Sequence, residues 1–216
     1  MYKYKLKYET VTVNDIEYQI RSLKDNQQYN DDDSLAEDLG ISSATWPLFG
    51  ILWPAAQVLA NIVSVIELEG KRVLEIGCGL GLSSIVLHKM GVDITASDYH
   101  PLAKSFLDEN IINNELMPIK FESANWDVEN PLLGEFDLII GSDVLYEPAH
   151  VKRVSDFIDC HSAVNVEVII VDPGRSNRSN FTRAMMDLGY AHQYETFDVA
   201  GLNDDHCKGR VLSFQR

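Results

Sequence analysis

The sequence is most constrained at residues 73–87, VLEIGCGLGLSSIVL, where an apolar segment runs into three closely spaced glycines and then into a helical pattern. Gly77, Gly79 and Gly81 have no Cβ, so a turn built from them lets a ligand approach the backbone closely. In open α/β sheets such turns lie beyond the carboxyl ends of the strands. The stretch therefore predicts a strand, a ligand-binding turn and a helix. A purely structural turn between strand and helix is the alternative interpretation.

Short apolar runs and amphipathic helices alternate along the chain from residue 71. The pattern predicts strands at 72–76, 93–97, 119–122, 136–140, 166–171, 190–197 and 210–215, and helices from about Pro54 and at 82–89, 101–113, 149–160 and 179–188. Such alternation is typical of βαβ units with a mostly parallel sheet that is buried on both faces. We therefore expect an α/β fold with a Rossmann-like sheet of seven strands and helices on both faces.

The N-terminal part of the chain has a different pattern. Residues 2–23 alternate in the manner of strands around the turn pair Asn14 and Asp15, which predicts a hairpin. The following acidic segment, 25–38, is polar and indicates a surface or mobile loop and a candidate lid, although a run of aspartates is also typical of a solvated loop. We accordingly divide the chain into an N-terminal segment, 1–45, and a main domain, 46–216.

Charge and cysteine usage exclude several classes of partner. The chain has 18 basic and 33 acidic residues, a formal charge of −15, so the phosphate backbone of a nucleic acid would be repelled. No stretch is apolar enough to span a bilayer, so we expect no membrane partner. Cys78, Cys160 and Cys207 are far apart and lack metal-ligand spacing, which predicts reduced thiols, a cytoplasmic location and no bound metal.

An acid at the end of the second predicted strand points to a nucleoside. Asp98 lies 98 − 77 = 21 residues after Gly77, close to the separation at which an acid holds the hydroxyls of a ribose. The third glycine comes one residue too early for the dinucleotide motif, and Glu75 would repel phosphates. An acid at that position favours a cationic ligand instead. S-adenosylmethionine, which carries an ammonium and a sulfonium, fits both signals.

Several motifs in order along the chain give it a family resemblance. The glycine segment together with Asp98 resembles the cofactor motifs of seven-strand methyltransferases, whose last strand is antiparallel. The chain further resembles the Asp-x-x-Tyr family of protein lysine methyltransferases, and within it the bacterial relatives of the electron-transfer flavoprotein β-subunit lysine methyltransferase. The motifs that carry this finer resemblance are LWPAAQVLA at 52–60, ANWD at 124–127, SDVLYE at 142–147 and VDPGR at 171–175.

The resemblance implies S-adenosylmethionine as cofactor and S-adenosylhomocysteine as product. Gly77, Gly79 and Gly81 would line the methionine and ribose parts of the cofactor. Glu75 would lie near its amino-acid end, acting through water or backbone. Asp98 would hold the ribose hydroxyls.

The aromatic residues would complete the cofactor site. By the same resemblance, Asn125 and Trp126 match the position that packs against the adenine ring, and Trp53 matches a tryptophan that closes over the methionyl part. Cys78 and Tyr99 belong to the predicted cofactor-binding set. For the tryptophans, packing in the hydrophobic core is the alternative interpretation.

Ser142, Asp143 and Tyr146 would form the catalytic side of the site. The resemblance implies that Ser142 and Asp143 face the sulfonium and the incoming nucleophile, and that Tyr146 shapes the channel. The alternatives are that Asp143 caps the following helix, that Tyr146 is a packing residue and that the segment 171–175 is only a turn. Arg175 of that segment could hold a carboxylate near the mouth of the site.

The resemblance makes the side chain of a lysine in a protein the leading methyl acceptor, with the segment 1–45 facing that substrate. A small-molecule N- or O-methyltransferase is the first alternative, because the cofactor half of such a fold says little about the acceptor. A protein that binds the cofactor without catalysis is the second. The sequence does not specify an oligomeric state.

Overall fold

The computed structural model describes residues 4–128, 130–200 and 206–216. The strands are β1 (Leu6–Val13), β2 (Ile16–Leu23), β3 (Arg72–Ile76), β4 (Asp93–Asp98), β5 (Lys120–Ser123), β6 (Phe136–Ser142), β7 (Ser162–Asp172), β8 (Ala191–Ala200) and β9 (His206–Gln215). The helices are α1 (Leu35–Asp38), α2 (Pro54–Val63), α3 (Leu82–Lys89), α4 (Ala103–Asn113), α5 (His150–Cys160) and α6 (Arg178–Asp187), and a 3-10 helix (Trp46–Gly50) precedes α2.

A seven-stranded sheet with the order β5-β4-β3-β6-β7-β9-β8 forms the centre of the molecule. The strands from β5 to β7 are parallel, and β9 runs antiparallel to both of its neighbours, β7 and β8. The strand order reverses between β3 and β6, and ligands of open α/β sheets bind beyond the carboxyl ends of the strands at such a reversal. The predicted sheet and its antiparallel last strand are confirmed.

Alternate residues of the parallel strands face two separate hydrophobic clusters. Val73 of β3 packs in the cluster that contains α2, α3 and α4, whereas Leu74 packs in the cluster that contains α5 and α6. Each strand serves both clusters because successive side chains of a strand point to opposite faces of the sheet. The predicted placement of helices on both faces is therefore confirmed.

The predicted elements are present, with shifts at some of their ends. Helix α3 covers the predicted range 82–89, and Gly81, with a φ of 74°, precedes it. Strand β7 begins at Ser162 rather than at residue 166, because Ser162 pairs with Phe136 before the register between the two strands shifts. The polar residues in this first part of β7 interrupt the apolar run by which the sequence marks the strand.

The N-terminal hairpin is also confirmed. Its turn residues, Asn14 and Asp15, have positive φ angles of 47° and 62°, as a tight two-residue hairpin turn requires. Val11 and Tyr18 are buried in the same cluster as α2, α3 and α4. The division of the chain at residue 45 stays a prediction, and residues 1–3 of its first segment lie outside the described residues.

The acidic segment 25–38 folds against the end of β4. Both carboxylate oxygens of Asp31 cap the short helix α1, since they accept hydrogen bonds from the backbone amides of Ala36 at 2.9 Å and Glu37 at 2.8 Å. Just after the segment, the carbonyl oxygen of Leu39 accepts a hydrogen bond from the Tyr99 hydroxyl at 2.9 Å. Leu39 and Gly40, which follow the segment, line the cavity described below, and the role of the segment as a lid stays a prediction.

Within the described part of the chain, no helix has both the length and the apolar character needed for a membrane span. The three cysteines are thiols. Among the described residues, no three His, Cys, Asp or Glu side chains are grouped so that they could hold a metal ion.

Candidate active site

A cavity of about 430 Å³ lies at the carboxyl ends of the parallel strands, where the strand order reverses. Its position is the one that the sheet topology predicts for a ligand. Of the predicted site residues, the following line it: Trp53, Gly77, Cys78, Gly79, Asp98, Tyr99, Asn125, Trp126, Ser142, Asp143 and Tyr146. Glu75 and Gly81 do not line it.

The glycines of the turn differ in what they face. Gly77, with a φ of 58°, lies below Trp126, and a Cβ there would come within 3.5 Å of the indole ring and 3.0 Å of Val144. At Gly79 a Cβ would come within 2.7 Å of the Phe49 carbonyl oxygen. At Gly81 it would come within 2.4 Å of the Leu107 side chain, which belongs to helix α4. Gly77 therefore leaves space beneath Trp126, Gly79 lets the turn approach the backbone of Phe49, and Gly81 lets α3 and α4 approach.

Glu75 lies beneath the glycine turn and not in the cavity. Its Oε2 accepts hydrogen bonds from the backbone amide of Ser84 at 2.9 Å and from the Ser84 hydroxyl at 2.5 Å. Burial raises the pKa of the Glu75 carboxyl to about 7, although the hydrogen bonds from Ser84 oppose that rise. The acid thus holds the first turn of α3 against β3, and its expected place near the amino-acid end of the cofactor stays a prediction.

Asp98 ends β4 and joins it to the glycine turn. Its Oδ2 accepts a hydrogen bond from the backbone amide of Gly79, and its Oδ1 accepts one from the backbone amide of His100, both at 2.8 Å. Burial raises the pKa of Asp98, while these backbone hydrogen bonds oppose the rise. A carboxylate has about four acceptor sites, so both oxygens can still accept hydrogen bonds from a pair of neighbouring hydroxyls.

The aromatic residues of the cavity are held by specific contacts. Trp53 donates a hydrogen bond from Nε1 to the Leu48 carbonyl oxygen at 2.9 Å. The rings of Trp126 and Tyr146 both stand edge-on to the ring of His150, at centroid distances of 5.2 Å and 4.6 Å. His150 therefore fixes the predicted adenine-packing residue relative to the predicted catalytic tyrosine.

His150 and Trp46 illustrate where the sequence was less informative. The His150 ring is fixed in turn by its Nδ1, which lies 2.9 Å from the Val144 carbonyl oxygen. Nothing in the spacing of the histidines indicates this position. Trp46 is buried in the hydrophobic core, as the alternative interpretation of the tryptophans proposes, and it does not line the cavity.

His100 is a cavity residue that the sequence analysis did not select. Its ring stacks on Phe49 at a centroid distance of 3.7 Å, and its Nδ1 accepts a hydrogen bond from the Leu102 amide at 3.1 Å. Burial lowers the pKa of His100 to about 3, so the ring is neutral at physiological pH. The signal for this residue is its place two positions after Asp98, at the end of a strand that the sequence does predict.

Asp143 is paired with Arg175 across the ends of β6 and β7. Nε of Arg175 donates to Oδ1 of Asp143, and Nη2 donates to Oδ2, each at 2.6 Å. Helix α5 begins only at His150, with Ala149 as its N-cap and no side-chain cap, so Asp143 does not have the capping role considered as an alternative. The pair brings two predicted motifs, 142–147 and 171–175, into direct contact.

The turn that carries Arg175 is held by a buried acid. Oδ1 of Asp172 accepts hydrogen bonds from the backbone amides of Gly174 at 2.9 Å and Arg175 at 3.0 Å. Asp172 is 1% exposed. The segment is therefore a turn, as the alternative interpretation has it, and the turn places Arg175 on Asp143.

Tyr146 lies beside this pair as a neutral hydroxyl. Burial raises the pKa of Tyr146 to about 12, and the nearby acids Asp98, Glu147 and Asp143 raise it further, whereas Arg175 lowers it. The hydroxyl therefore stays protonated across the physiological range. It can donate or accept a hydrogen bond but does not act as a base.

The residues present fit a nucleoside. The absence of a Cβ at Gly77 leaves space under the indole ring of Trp126. Asp98, which lines the same cavity, offers hydrogen-bond acceptors for a pair of hydroxyls. Aromatic faces and a carboxylate are the groups that hold a base and a ribose. Asp143 and Tyr146 line the same cavity.

Comparison with known proteins gives a family match. The model of the lysine methyltransferase family matches residues 35–187. Protein N-lysine methyltransferase METTL21A from Danio rerio is 34% identical over 115 residues, which are 48% of this chain and 52% of that protein. The electron transfer flavoprotein β subunit lysine methyltransferase from Danio rerio is 30% identical over 138 residues, which are 60% of this chain and 51% of that protein. The chain thus spans about half the length of these curated relatives.

A solved structure gives the same fold. The crystal structure of magnesium protoporphyrin IX methyltransferase from Synechocystis PCC 6803, with bound SAM, has a TM-score of 0.59 at 19% sequence identity. The match covers 75% of this chain and 77% of that chain. At this identity the likeness concerns the fold.

Proposed function

The chain belongs to the lysine methyltransferase family, and from that premise we propose that it transfers a methyl group from S-adenosylmethionine to the side-chain amine of a lysine in a protein. One observation carries the proposal. A single cavity at the switch point of the sheet is lined both by Asp98 and Trp126, the proposed nucleoside-binding residues, and by Asp143 and Tyr146, the proposed acceptor-binding residues. The protein substrate itself is part of the proposal.

In this proposal Asp98 accepts hydrogen bonds from the ribose hydroxyls of the cofactor, and Trp126 packs against its adenine. Asn125 precedes Trp126 on the same loop, where its side-chain oxygen accepts a hydrogen bond from the Asp127 amide at 2.9 Å. The Cys78 thiol stays protonated, because burial raises its pKa well above the ordinary value.

The remaining cofactor contacts of the proposal come from the turn and the rim. Gly77 and Gly79 expose their backbone to the methionine part, and Trp53, Tyr99 and Ser142 close the sides of the cavity. Glu75 and Gly81 act indirectly in this scheme, by fixing α3 under the turn.

When bound, S-adenosylmethionine supplies an activated methyl group on a cationic sulfur and is left as S-adenosylhomocysteine. The protein contributes alignment, since an in-line transfer needs the acceptor nitrogen held at the correct distance and angle. A free lysine has a pKa of about 10.4, and desolvation lowers the pKa of an amine. In the proposal the amine arrives protonated and loses its proton to solvent before transfer, and desolvation at the mouth beside Tyr146 favours that loss. Asp143 orients that amine by accepting a hydrogen bond from its N–H.

The proposal includes the compartment and the partners. A reducing, cytoplasmic environment is consistent with Cys78, Cys160 and Cys207 being thiols. The net charge of −15 disfavours nucleic acid as a substrate and favours a basic surface on the protein that carries the acceptor lysine.

The test is transfer of labelled methyl groups. The purified protein is incubated with a cell lysate and S-adenosylmethionine labelled on its methyl group, and proteins are separated from small molecules. We expect a labelled protein band that hydrolyses to methyl-lysine. If only small molecules are labelled, the methyl acceptor is a small molecule and not a protein lysine. If nothing is labelled but the protein still binds S-adenosylhomocysteine, the chain is a binding protein without catalysis.

A variant of Asp143 tests the role of that residue in the same experiment. Asp143→Ala removes the proposed orienting group and leaves Asp98 and the glycine turn in place. We expect S-adenosylhomocysteine binding to persist while label transfer falls. Unchanged transfer by this variant would contradict the assignment of Asp143.

A further inference from the structure

Both carboxylate oxygens of Asp143 are engaged by one guanidinium. The two contacts from Arg175, each 2.6 Å long, form the parallel pair of charge-assisted hydrogen bonds that is typical of bidentate arginine. The guanidinium takes one acceptor site on each oxygen and supplies the counter-charge of the carboxylate. A cationic acceptor that takes over those sites and that charge therefore has to displace Arg175.

The two partners of this pair are anchored differently. The side chain of Asp143 is 10% exposed and that of Arg175 is 41% exposed. Asp143 has a φ of 53°, and its amide donates a hydrogen bond to the Val171 carbonyl oxygen at 2.9 Å, which fixes its backbone to β7. The guanidinium lies at the open end of a long side chain, so it can turn toward solvent while the carboxylate stays in place.

The backbone of Arg175 need not move for this rotation. Asp172 holds the amides of Gly174 and Arg175, so the turn keeps its shape when the side chain leaves. The exchange therefore consists of a change of side-chain rotamer at the mouth of the cavity, where Asp143 and Arg175 both belong to the lining.

We propose that Arg175 is a specificity-determining residue, which occupies the cation seat of Asp143 until the side chain of a cationic acceptor takes its place. The inference rests on the proposed function. It specifies that the acceptor is a primary amine and that this amine is protonated when it reaches Asp143. A lysine ammonium replaces the guanidinium charge for charge. A neutral hydroxyl that displaced Arg175 would leave the carboxylate of Asp143, whose side chain is only 10% exposed, without a counter-charge, which is unfavourable.

The charges around the seat agree with this selection. Tyr146 and Glu147 follow Asp143 along the chain, Asp172 ends the neighbouring strand, and Cys207 of β9 is close enough for Asp143 to raise the pKa of its thiol. Asp172 is paired with Arg178 at 3.4 Å, and Arg153, which lines the same cavity, is paired with Asp127 at 2.7 Å, so Arg175 is the cation that Asp143 itself binds. A carboxylate acceptor would be repelled there.

Two small probes test the exchange without the natural substrate. Nα-acetyl-lysine methylamide carries the ammonium, and its 6-hydroxynorleucine analogue places a neutral hydroxyl at the same position. Each is titrated by NMR into the full-length protein saturated with S-adenosylhomocysteine. The variants are Arg175→Gln, which removes the competing charge, and Arg175→Lys, which keeps a charge but loses the bidentate contact.

We expect Arg175→Gln to bind the lysine probe about tenfold more tightly than the wild type, with Arg175→Lys in between, because a competing ion pair has been removed. The double variant that combines Asp143→Asn with Arg175→Gln should lose both this gain in affinity and the preference for the lysine probe over the hydroxyl analogue. Affinity for S-adenosylhomocysteine, measured by calorimetry, shows that each variant is folded.

Unchanged or weaker binding of the lysine probe by Arg175→Gln would overturn the inference, since Arg175 would then serve to position Asp143. This failure is separate from failure of the proposed function. If the wild-type protein labels a lysine in the lysate but the Arg175→Gln variant does not bind the probe more tightly, only the role of Arg175 is contradicted. If no methyl-lysine forms in the lysate, the proposed function is contradicted, whatever the probes show.

Discussion

The carboxylate of Asp98 is joined to the backbone amide of Gly79 by a hydrogen bond of 2.8 Å, which ties the end of β4 to the glycine turn after β3. The same carboxylate accepts the His100 amide through its other oxygen. The turn is therefore held in its ligand-accepting shape by the side chain that is proposed to bind the ribose. Loss of that side chain affects both the shape of the turn and the contact with the ligand.

Asp98→Ala should lower the affinity for S-adenosylhomocysteine about 100-fold, because hydrogen bonds to a charged group contribute roughly 1.5–3 kcal/mol each. Isothermal titration calorimetry measures the change. Asp93→Ala is the matched control, since Asp93 starts the same strand, is exposed and pairs with Lys120 at 2.6 Å. Wild-type affinity in the Asp98 variant would contradict the assignment.

Gly79→Ala should destabilise the fold more than Gly91→Ala does. Both glycines have a positive φ, of 53° and 83°, which costs an alanine about 1 kcal/mol. A Cβ at Gly91 meets open space, whereas one at Gly79 lies 2.7 Å from the Phe49 carbonyl oxygen, so the backbone must shift at a cost of about 1–3 kcal/mol more. Thermal unfolding of the two variants measures the difference. Equal Tm values would show that the turn moves freely away from Phe49.

Sequence pattern predicts the order of the elements well because each element has a local signal. Helix α3 follows from the apolar residues after Gly81, and β3 from the short apolar run before Gly77. The place of Glu75 also has a local signal. Side chains alternate along a strand, so Glu75 points to the same face as Val73, the face covered by α3.

Other parts of the site have no local signal. Asp143 and Arg175 meet because β6 and β7 are neighbours in the sheet, and their motifs are separated by the whole of α5. The spacing of the two residues in the sequence carries no trace of their contact. The edge-on packing of His150 against Trp126 likewise depends on where a loop crosses the end of the sheet.

Tyr146→Phe should lower turnover a few-fold, and Tyr146→Ala about 100-fold, if the ring aligns the acceptor, since small displacements of a reacting group are costly. The rate of label transfer to the protein band measures both. The pKa of about 12 for Tyr146 further predicts that the wild-type rate has no inflection from a tyrosine near pH 10. Such an inflection, absent in Tyr146→Phe, would show that the hydroxyl takes part as a titrating group.

Glu75→Gln should change how stability depends on pH. The folded-state pKa of Glu75, about 7, lies above its ordinary value of 4.5, so the folded state binds the extra proton between these values. The contribution of Glu75 to the free energy of unfolding is therefore largest below pH 4.5 and is lost as the pH rises to 7. At about 1.4 kcal/mol per unit of pKa, the loss is on the order of 3 kcal/mol.

The comparison of Glu75→Gln with wild type isolates this effect. His100 has the opposite sign, because its folded-state pKa of about 3 lies below 6.5, and its contribution to stability is lost as the pH falls through that interval. Urea unfolding of both proteins from pH 4.5 to 7.5 gives the difference curve, in which His100 cancels. We expect the wild type to lose stability relative to the variant as the pH rises. A flat difference curve would mean that Glu75 is ionised throughout.

Asn110→Ala should destabilise the protein more than Asn114→Ala, although Asn110 of α4 and Asn114, the C-cap residue of that helix, both bind β2 of the hairpin. Asn110 accepts the Arg21 amide at 2.7 Å and donates to the carbonyl oxygens of Arg21 at 3.2 Å and Leu80 at 3.3 Å. Asn114 makes the equivalent pair with Gln19 on an exposed part of the helix.

Asn110 is fully buried, so its removal leaves three backbone groups without partners, at roughly 1–3 kcal/mol for each unsatisfied group that stays dry. Water can replace Asn114, whose loss should cost about 1 kcal/mol. Because Leu80 belongs to the glycine turn, Asn110→Ala should also weaken S-adenosylhomocysteine binding several-fold, while Asn114→Ala leaves it unchanged. Urea unfolding and calorimetry measure the two effects. Equal results for the two variants would show that the hairpin and the cofactor turn are not coupled through α4.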